Sequence, residues 1–396
     1  MNRRTLLLLL TLPGLLQAGG ESPLSPQKQE ILKQKEAEID RGAEALRYDW
    51  IAPLNLSLSH TEQKSPGESG FGGTSQASAS WSQDLFRSGG ITYAIRYADA
   101  KHAYDRLGWA EERDSYRLGI VTAVFNIRRQ GLLCERSETL LKNLEIALFI
   151  KQQQYEAGAT DITELNDAIM ARNSEQKNLL SLEQALADAR LELKRYSDRE
   201  AETIAVPEFF IPKRDAYLAE NYAAAQARLQ SQVAYDTYRI TKSSYLPALS
   251  FNTAARYTEY RDLQADGGAS YSAGLSLSLP LAYNGADAVE ADRALMLRRR
   301  AEEADTVREA GIGYEQSRNL ITRYEKENGV FRQNLALYDT LIDAIRKGVE
   351  AGYKTGYDLQ TLQNTKTTDL LSMKINDINI QLELAKLHYS TRDEGK

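Results

Sequence analysis

The sequence predicts an α+β membrane protein in which several copies share one β-barrel, and long α-helical hairpins continue that barrel. Three observations predict this fold class. The stretch Ala269–Gly285 alternates like a membrane strand and runs directly into a long, charged helical tract. The chain begins with the pattern of an export signal. The same succession of elements, two strands and then a long helical hairpin, occurs twice along the chain.

The alternation in Ala269–Gly285 gives the stretch one apolar face and one small, polar face. Successive side chains of a strand point to opposite faces, so a period of two is the expected pattern. A transmembrane barrel strand needs about ten residues, apolar toward lipid and polar toward a lumen. A soluble sandwich strand alternates in the same way, but here no globular sequence separates the strand from the helical tract. The apolar face carries Tyr271, Ala273, Leu275, Leu277, Leu279 and Leu281.

The N-terminus has the pattern of a secretory signal peptide over residues 1–18. Arg3 and Arg4 give it a basic start, an apolar run extends from Leu6 to Leu16, and the small residue Ala18 stands near the expected cut. No later segment is long and apolar enough for a membrane helix, so we expect the exported chain to enter a membrane as a β-barrel. No cysteine stands at the cleavage point, and no lipid anchor is expected.

Composition argues against catalysis and against a nucleic-acid partner. Cys134 is the only cysteine, which excludes an internal disulfide and a cysteine-based zinc site. The three histidines share no metal-ligand spacing, and no Gly-x-Ser-x-Gly element occurs. The net charge is -6, and the basic clusters are flanked by acidic residues, which is typical of solvated helix faces. We therefore expect no enzyme activity, no cofactor and no metal site.

The first structural repeat is predicted over 19–200. It begins with a helix over Ser25–Tyr48, because Pro26 suits a first turn and good helix formers follow it. A β-hairpin over 50–88 comes next, since leucine alternates with polar residues in its first strand and alanine with serine in its second. A helical hairpin over 91–198 completes the repeat. Its first helix would span roughly 100 Å at about 1.5 Å per residue.

The second structural repeat is predicted over 201–396 and follows the same programme. It contains a helix over 215–241, a β-hairpin over 245–283 and a helical hairpin over 286–389. Three pairs of landmarks recur at offsets of 194 to 198 positions: Pro53 with Pro247 at the strand start, Gly89 with Gly285 at the strand-to-helix joint, and Gly158 with Gly356 at the helical tip. Such regular recurrence indicates an internal repeat.

Glycine-containing joints are predicted where each second strand gives way to a long helix. Glycine tolerates backbone conformations that other residues avoid, so it allows the sharp change of direction. The predicted joint residues are Gly89, Gly90, Asn284 and Gly285.

Four strands with an apolar face cannot form a membrane barrel alone. Open strand edges are not tolerated in lipid, and the smallest natural membrane barrels have about eight strands. The chain must therefore associate with copies of itself. On this argument a dimer with eight strands and a trimer with twelve both remain open.

Three features together carry a family resemblance. They are the two-fold repeat, the strand segments 245–249 and 277–281, and the tip pattern of Tyr155, Gly158 and Asp161 followed by a return helix. On these residues the chain resembles the TolC-like outer membrane efflux protein family over nearly the whole mature chain. The resemblance implies a homotrimer in which a twelve-stranded outer membrane barrel, four strands per chain, is continued by a twelve-helix periplasmic tunnel.

The resemblance also implies a role without catalysis. Such a channel is the passive exit duct of a tripartite efflux or type I secretion system, set in outer membrane lipid of a Gram-negative-type bacterium with most of its mass in the periplasm. Its implied partners are a periplasmic adaptor protein and an inner membrane transporter of the RND or ABC type. A periplasmic coiled-coil adaptor or scaffold is the alternative, but it leaves the alternating strands without a use and would need a lipoyl-like β-domain.

The resemblance further implies closure of the channel by polar side chains at the periplasmic tips. The second hairpin departs from the family pattern, because it is one residue shorter between glycine and leucine and carries amides where the family often has an acid. An N-cap role for Asp358 is an alternative to a role in the gate. If polar tip bonds hold the channel shut, replacing Asp161 or Asp358 with Ala should raise conductance. The tip candidates are Tyr155, Gly158, Asp161, Glu164 and Asp167 in the first hairpin, and Tyr353, Lys354, Gly356 and Asp358 in the second.

Overall fold

The computed structural model of the chain describes residues 22–64, 72–261 and 266–392. The predicted signal peptide, residues 1–18, lies outside the described residues, as do parts of the two loops that connect the strands.

Seven helices and four strands are found in these described residues. The predicted α+β fold class, with four strands and long helical hairpins, is confirmed. In chain order the elements are α1 (Pro26–Tyr48), β1 (Asn55–Gln63), β2 (Gly72–Phe86), α2 (Gly90–Glu156), α3 (Ile162–Leu193), α4 (Arg214–Glu220), α5 (Tyr222–Ser244), β3 (Ala248–Arg261), β4 (Gly268–Ser278), α6 (Gly285–Glu350) and α7 (Gly356–Tyr389), with a 3-10 turn at Ala201–Thr203.

The predicted uninterrupted helix over 215–241 is wrong, because the chain leaves the helical conformation at Asn221. This residue has φ -61° and ψ 129°, and it forms an antiparallel bridge with Thr391. On either side, the Tyr222 amide donates to the Ser390 carbonyl at 3.0 Å and the Arg392 amide donates to the Glu220 carbonyl at 2.9 Å. Backbone pairing with the segment after α7 therefore replaces local helical bonds, and α4 and α5 are separate helices.

Strand β4 ends at Ser278, earlier than the alternating stretch that extends to Gly285. Pro280 lies two residues beyond this end. Proline has no backbone N–H to donate to a ladder, so it does not sustain the pairing.

The described chain divides into two compact units, which we describe separately. The sheet unit contains residues 33–109 and 223–308, and the tip unit contains residues 22–32, 110–222 and 309–392. Each unit draws on both halves of the sequence. The division into these units depends on their compactness and does not test for an internal repeat. The structural repeats over 19–200 and 201–396 therefore stay a prediction. Among the described residues, no helix combines the length and apolar character that crossing a membrane requires.

In the sheet unit, the four strands form one antiparallel sheet in the order β1-β2-β3-β4. Each strand pairs with the next in sequence along a continuous register, with one irregularity between Asp84 and Phe86. The sheet is therefore an open meander with β1 and β4 at its edges.

The tip unit has an apolar core centred on α2 and α7. Helix α7 buries side chains on two of its sides, so it packs against more than one neighbour. One buried cluster of this core consists of Val121, Phe125, Phe209, Ile321, Leu382, Leu384 and Ala385.

A buried carboxylate ties neighbouring helices together beside this core. The side chain of Asp114 is 4% exposed and accepts from Arg113 Nε at 3.0 Å and from Arg117 Nη1 at 3.1 Å. Its other oxygen accepts from the Tyr222 hydroxyl at 2.7 Å. The pKa of Tyr222 is raised well above its usual range, mainly by burial and in second place by the hydrogen bond to Asp114. This hydroxyl therefore keeps its proton and remains a donor.

Candidate functional site

One face of the sheet is lined by small polar side chains that bond to one another across the strands. Ser57 and Ser78 lie 2.8 Å apart between their hydroxyls. Ser82 donates to Asn252 Oδ1 at 2.6 Å, and Asn252 Nδ2 donates to Ser276 Oγ at 2.8 Å. These side chains belong to the polar face predicted from the alternation. A continuous hydroxyl and amide surface of this kind is suited to contact with water.

The opposite face of the sheet is apolar and open. Leu56, Leu58 and Tyr271 are 74%, 85% and 82% exposed, although leucine is among the residue types that are most often buried. An exposed apolar surface of this extent marks contact with a membrane or with another chain. The two faces together have the chemistry of a barrel strand, with lipid on one side and water on the other.

Both edges of the sheet lack a partner strand within the described chain. Every residue of β1 and every residue of β4 is exposed. Unpaired edges carry free backbone N–H and C=O groups, which bind another strand readily. Because β1 and β4 run antiparallel to each other in a four-stranded meander, β4 of one copy can continue the sheet into β1 of another.

The predicted joint residues lie where strands give way to helices. Gly89 has φ +88° and precedes the first residue of α2, Gly90. A Cβ on Gly90 would collide with Ser243 Oγ. Asn284 precedes Gly285, the first residue of α6, where a Cβ would lie 2.9 Å from the Tyr245 ring. Close approach of a neighbouring side chain therefore explains glycine at the start of both long helices.

At the first tip, Asp161 is the N-cap of α3. Its Oδ1 accepts from the Thr163 amide at 2.9 Å and the Glu164 amide at 3.0 Å. Such a cap satisfies helical N–H groups that otherwise have no partner. Gly158 takes the left-handed conformation at φ +69° in the loop between α2 and α3.

Glu164 forms a second tip contact, this time between helices. Its carboxylate pairs with Lys151 of α2 and accepts from the Thr160 hydroxyl at 2.7 Å. The bonds from Lys151 and Thr160 hold the pKa of Glu164 below its usual range. The other two first-tip candidates, Tyr155 and Asp167, are exposed.

At the second tip, Thr355 is the N-cap of α7 and forms a capping box with Asp358. The Thr355 amide and hydroxyl each lie 2.9 Å from Asp358 Oδ2, and the Asp358 amide donates to Thr355 Oγ1 at 3.2 Å. Bonds from the Thr355 amide and then its hydroxyl lower the pKa of Asp358. Tyr353 and Lys354 are exposed.

The backbone geometry shows which residue of the second tip corresponds to Gly158 of the first. Gly356, which the sequence aligns with Gly158, is the first residue of α7, whereas Gly352 takes the left-handed conformation at φ +81°. Gly352 lies 194 positions after Gly158, and the cap Thr355 lies 194 positions after Asp161. The alignment of Gly158 with Gly356 is therefore wrong by four residues. Glu164 and Asp358 occupy the same third position of their helices.

Three weak polar contacts, which we call the rungs, join α2 to α7 in the tip unit. On each helix the successive partners are seven residues apart, so one antiparallel register serves all three. These contacts were not predicted, although the seven-residue spacing of Arg129, Arg136 and Asn143 is visible in the sequence. The rungs are Arg129 Nη1 to Asn379 Oδ1 at 3.3 Å, Arg136 Nη1 to Ser372 Oγ at 3.4 Å, and Asn143 Nδ2 to Thr365 Oγ1 at 3.4 Å.

One contact of the site could not be predicted from the sequence. The pairing of Lys151 with Glu164 depends on the geometry of the loop between the helices, for which the sequence gives no spacing rule. No group of side chains suited to hold a metal ion occurs among residues 22–64, 72–261 and 266–392.

Comparison with known proteins agrees with this architecture. The model of a family described as outer membrane efflux protein matches residues 30–197. No curated protein sequence matches the chain.

Solved channel structures share the fold. CusC has been crystallised to follow the conformational changes that accompany its folding and transmembrane channel formation. Its structure has a TM-score of 0.71 at 14% identity, and the match covers 92% of this chain and 88% of that one. The CmeC outer membrane channel of Campylobacter jejuni has a TM-score of 0.71 at 12% identity, covering 93% and 84%. The outer membrane protein VceC of Vibrio cholerae has a TM-score of 0.66 at 16% identity, covering 92% of each chain.

Proposed function

We propose that this chain belongs to the outer membrane efflux protein family and assembles as a homotrimer into the exit duct of a tripartite export system. The chain is an outer membrane efflux channel of the TolC type, without enzyme activity. The single observation that carries the assembly is the sheet, whose two edges are unpaired and whose two faces suit lipid and water.

Closure of the sheet supports the trimer. Three copies supply twelve strands, and each β4 of 11 residues meets a β1 of nine residues from the next copy. Both lengths are close to the roughly 9–11 residues that a membrane strand needs. Closure of the barrel pairs every strand edge, and unpaired strand edges are not tolerated in lipid.

The helical hairpins are proposed to extend into the periplasm and meet the partner proteins. Helix α2 has 67 residues and α6 has 66, so each is about 100 Å long. We propose that the two tips contact a periplasmic adaptor, and that an inner membrane transporter of the RND or ABC type delivers the cargo. Drug efflux and type I secretion both fit this arrangement.

The proposed gate consists of the tip candidates Tyr155, Asp161, Glu164, Asp167, Tyr353, Lys354 and Asp358, with Gly158 in the first tip turn and Gly356 at the start of α7. Asp161 and Asp358 hold helix N-termini, whereas Lys151 and Glu164 join two helices. The pair of Lys151 and Glu164 is therefore the contact we assign to closure. The proposed barrel-to-tunnel joints are Gly89, Gly90, Asn284 and Gly285.

Purified protein in detergent tests the proposal. We expect a trimer by multi-angle light scattering and discrete conductance steps after reconstitution into planar bilayers. A soluble monomer without detergent, together with no conductance, would contradict the channel. A scaffold or adaptor would give that result, but it leaves the exposed apolar face of Leu56, Leu58 and Tyr271 without a role.

A further inference from the structure

The polar face of the sheet is almost without charge, and Arg256 is the exception. In the described strands, charged side chains of that face are limited to Asp84 on β2 and Arg256 on β3. Glu62, Glu259 and Arg261 have the opposite parity in the strand register and belong to the other face. The remaining polar-face positions near Arg256 are occupied mainly by serine, threonine and amide side chains.

Asp84 does not neutralise Arg256. Its Oδ1 accepts from Ser250 Oγ at 2.6 Å, and its other oxygen lies 3.7 Å from Arg87 Nε. Ser250 is the register partner of Asp84, and Arg256 lies six residues further along the same strand. That separation is about 20 Å at about 3.4 Å per residue. It exceeds the Debye length of about 8 Å at physiological ionic strength.

The immediate neighbours of Arg256 offer no negative charge. In the strand register Arg256 stands opposite Ser78 on β2 and Ser270 on β4. Arg256 is exposed and has no ion-pair partner within residues 22–64, 72–261 and 266–392. Its positive charge is therefore available to a solute that passes over the polar face.

We propose that Arg256 makes the barrel pore selective for anionic solutes, with the three copies forming one ring of positive charge. This inference rests on the proposed trimeric barrel. Twelve strands spaced about 4.7 Å apart and tilted about 40° place the backbone roughly 12 Å from the barrel axis. A long arginine side chain then brings each charge within about one Debye length of any ion at that level. The ring attracts anions and repels cations.

Thiol modification next to Arg256 tests the ring without requiring an open tip. Ser270→Cys places a thiol opposite Arg256, in a Cys134→Ala background that removes the buried native cysteine. Intact cells are treated with membrane-impermeant methanethiosulfonates, one with an anionic sulfonate and one with a cationic trimethylammonium group. These reagents can enter the barrel from outside the cell, so the rates report on the barrel pore.

We expect the anionic reagent to be favoured when Arg256 is present. Adding Arg256→Gln should lower the ratio of anionic to cationic reaction rates roughly three- to tenfold, and Arg256→Glu should lower it further. In 1 M salt, where the Debye length is about 3 Å, the difference should shrink. Arg261→Gln is the matched control, because it removes the same charge from the same strand on the opposite face, where Arg261 pairs with Glu62.

The possible outcomes separate this inference from the proposed function. If the Ser270→Cys thiol reacts, but the ratio of anionic to cationic reaction rates is the same with Arg256, Arg256→Gln and Arg256→Glu, the proposed ring of charge is wrong. The proposed channel is not contradicted by that result. A thiol that reacts only after the protein is unfolded shows that the polar face does not line a lumen. That result contradicts the proposed barrel and the ring with it.

Discussion

Thr355 and Asp358 bond to each other reciprocally at the start of α7, each accepting a backbone N–H from the other. In this capping box the carboxylate of Asp358 is engaged in holding the helix end. The expectation that Asp358→Ala raises conductance therefore has two explanations, the loss of a gate charge and the fraying of α7.

Replacement of Asp358 by three different residues distinguishes these explanations. Asp358→Ala should raise amide hydrogen exchange over residues 356–360, because it removes the carboxylate that accepts from the Thr355 amide in the capping box. Asp358→Glu should restore protection, since glutamate also suits this position of a capping box. Asp358→Asn keeps an amide oxygen for the cap and removes the charge. If conductance rises in Asp358→Asn while exchange stays low, the charge itself holds the gate and the capping explanation fails.

The pair of Lys151 and Glu164 should hold the first hairpin tip closed at neutral pH. Lys151→Ala should raise exchange at the first tip and raise conductance, because it removes the contact between α2 and α3. Lys142→Ala is the matched control. Lys142 is an exposed lysine of the same helix, with no ion pair found for it in the described residues. Equal effects of the two variants would point to overall charge and not to this pair.

Acid should release the same contact. The pKa of Glu164 is lowered in the folded protein, so its contribution to stability is complete above the unfolded pKa of about 4.3 and is lost as pH falls through the lower folded pKa. Hydrogen exchange at the tip should therefore be unchanged between pH 7 and pH 5, after correction for intrinsic rates, and should rise below about pH 4. Glu164→Gln should remove most of this acid response. A transition near pH 6 would implicate another group.

Local periodicity made the sheet predictable, and long-range contacts limited the prediction elsewhere. Alternation assigned Leu275 and Ser276 to opposite faces, because the side-chain period of a strand is fixed by the backbone. The break at Asn221 could not be foreseen, since its bridge partner Thr391 lies 170 positions further along the chain. Helix propensity is a weak preference that such tertiary pairing overrides.

The tips show a second limit of sequence reasoning. Both loops contain glycine, but residue type alone does not reveal which glycine adopts a positive φ. Gly352 does so and Gly356 does not, because Thr355 caps α7 immediately before Gly356. The acid candidates Asp161 and Asp358 were found from the sequence, but their engagement in caps required the backbone geometry.

The two faces of β4 should respond in opposite ways to the same added charge. Leu275→Arg puts a guanidinium on the exposed apolar face, where lipid contact should cost about 2–4 kcal/mol near the bilayer midplane. Gly274→Arg adds the same group to the polar face, where a Cβ meets nothing within 4 Å. Heat-modifiable trimer on SDS gels should fall sharply for Leu275→Arg and little for Gly274→Arg. Equal losses would argue against lipid on the apolar face.

Gly119 of α2 should be intolerant of even one added methyl group. A Cβ there would lie 2.7 Å from the Tyr196 ring, and the Tyr196 carbonyl accepts from the Ser25 amide at 2.8 Å. To relieve the clash, the ring of Tyr196 would have to move, although the backbone of the same residue is bonded to Ser25 at the start of α1. We expect Gly119→Ala to destabilise the protein by about 1–3 kcal/mol through overpacking.

Gly131→Ala is the control for that substitution on the same helix. A Cβ on Gly131 meets nothing within 4 Å, so alanine should raise stability by up to about 1 kcal/mol through helix propensity. Thermal unfolding of the detergent-solubilised protein measures both changes. In the Tyr196→Leu background, whose smaller side chain leaves room, the cost of Gly119→Ala should largely disappear. A cost that persists there would mean that the ring contact is not its cause, and the explanation would have to lie in the backbone of α2.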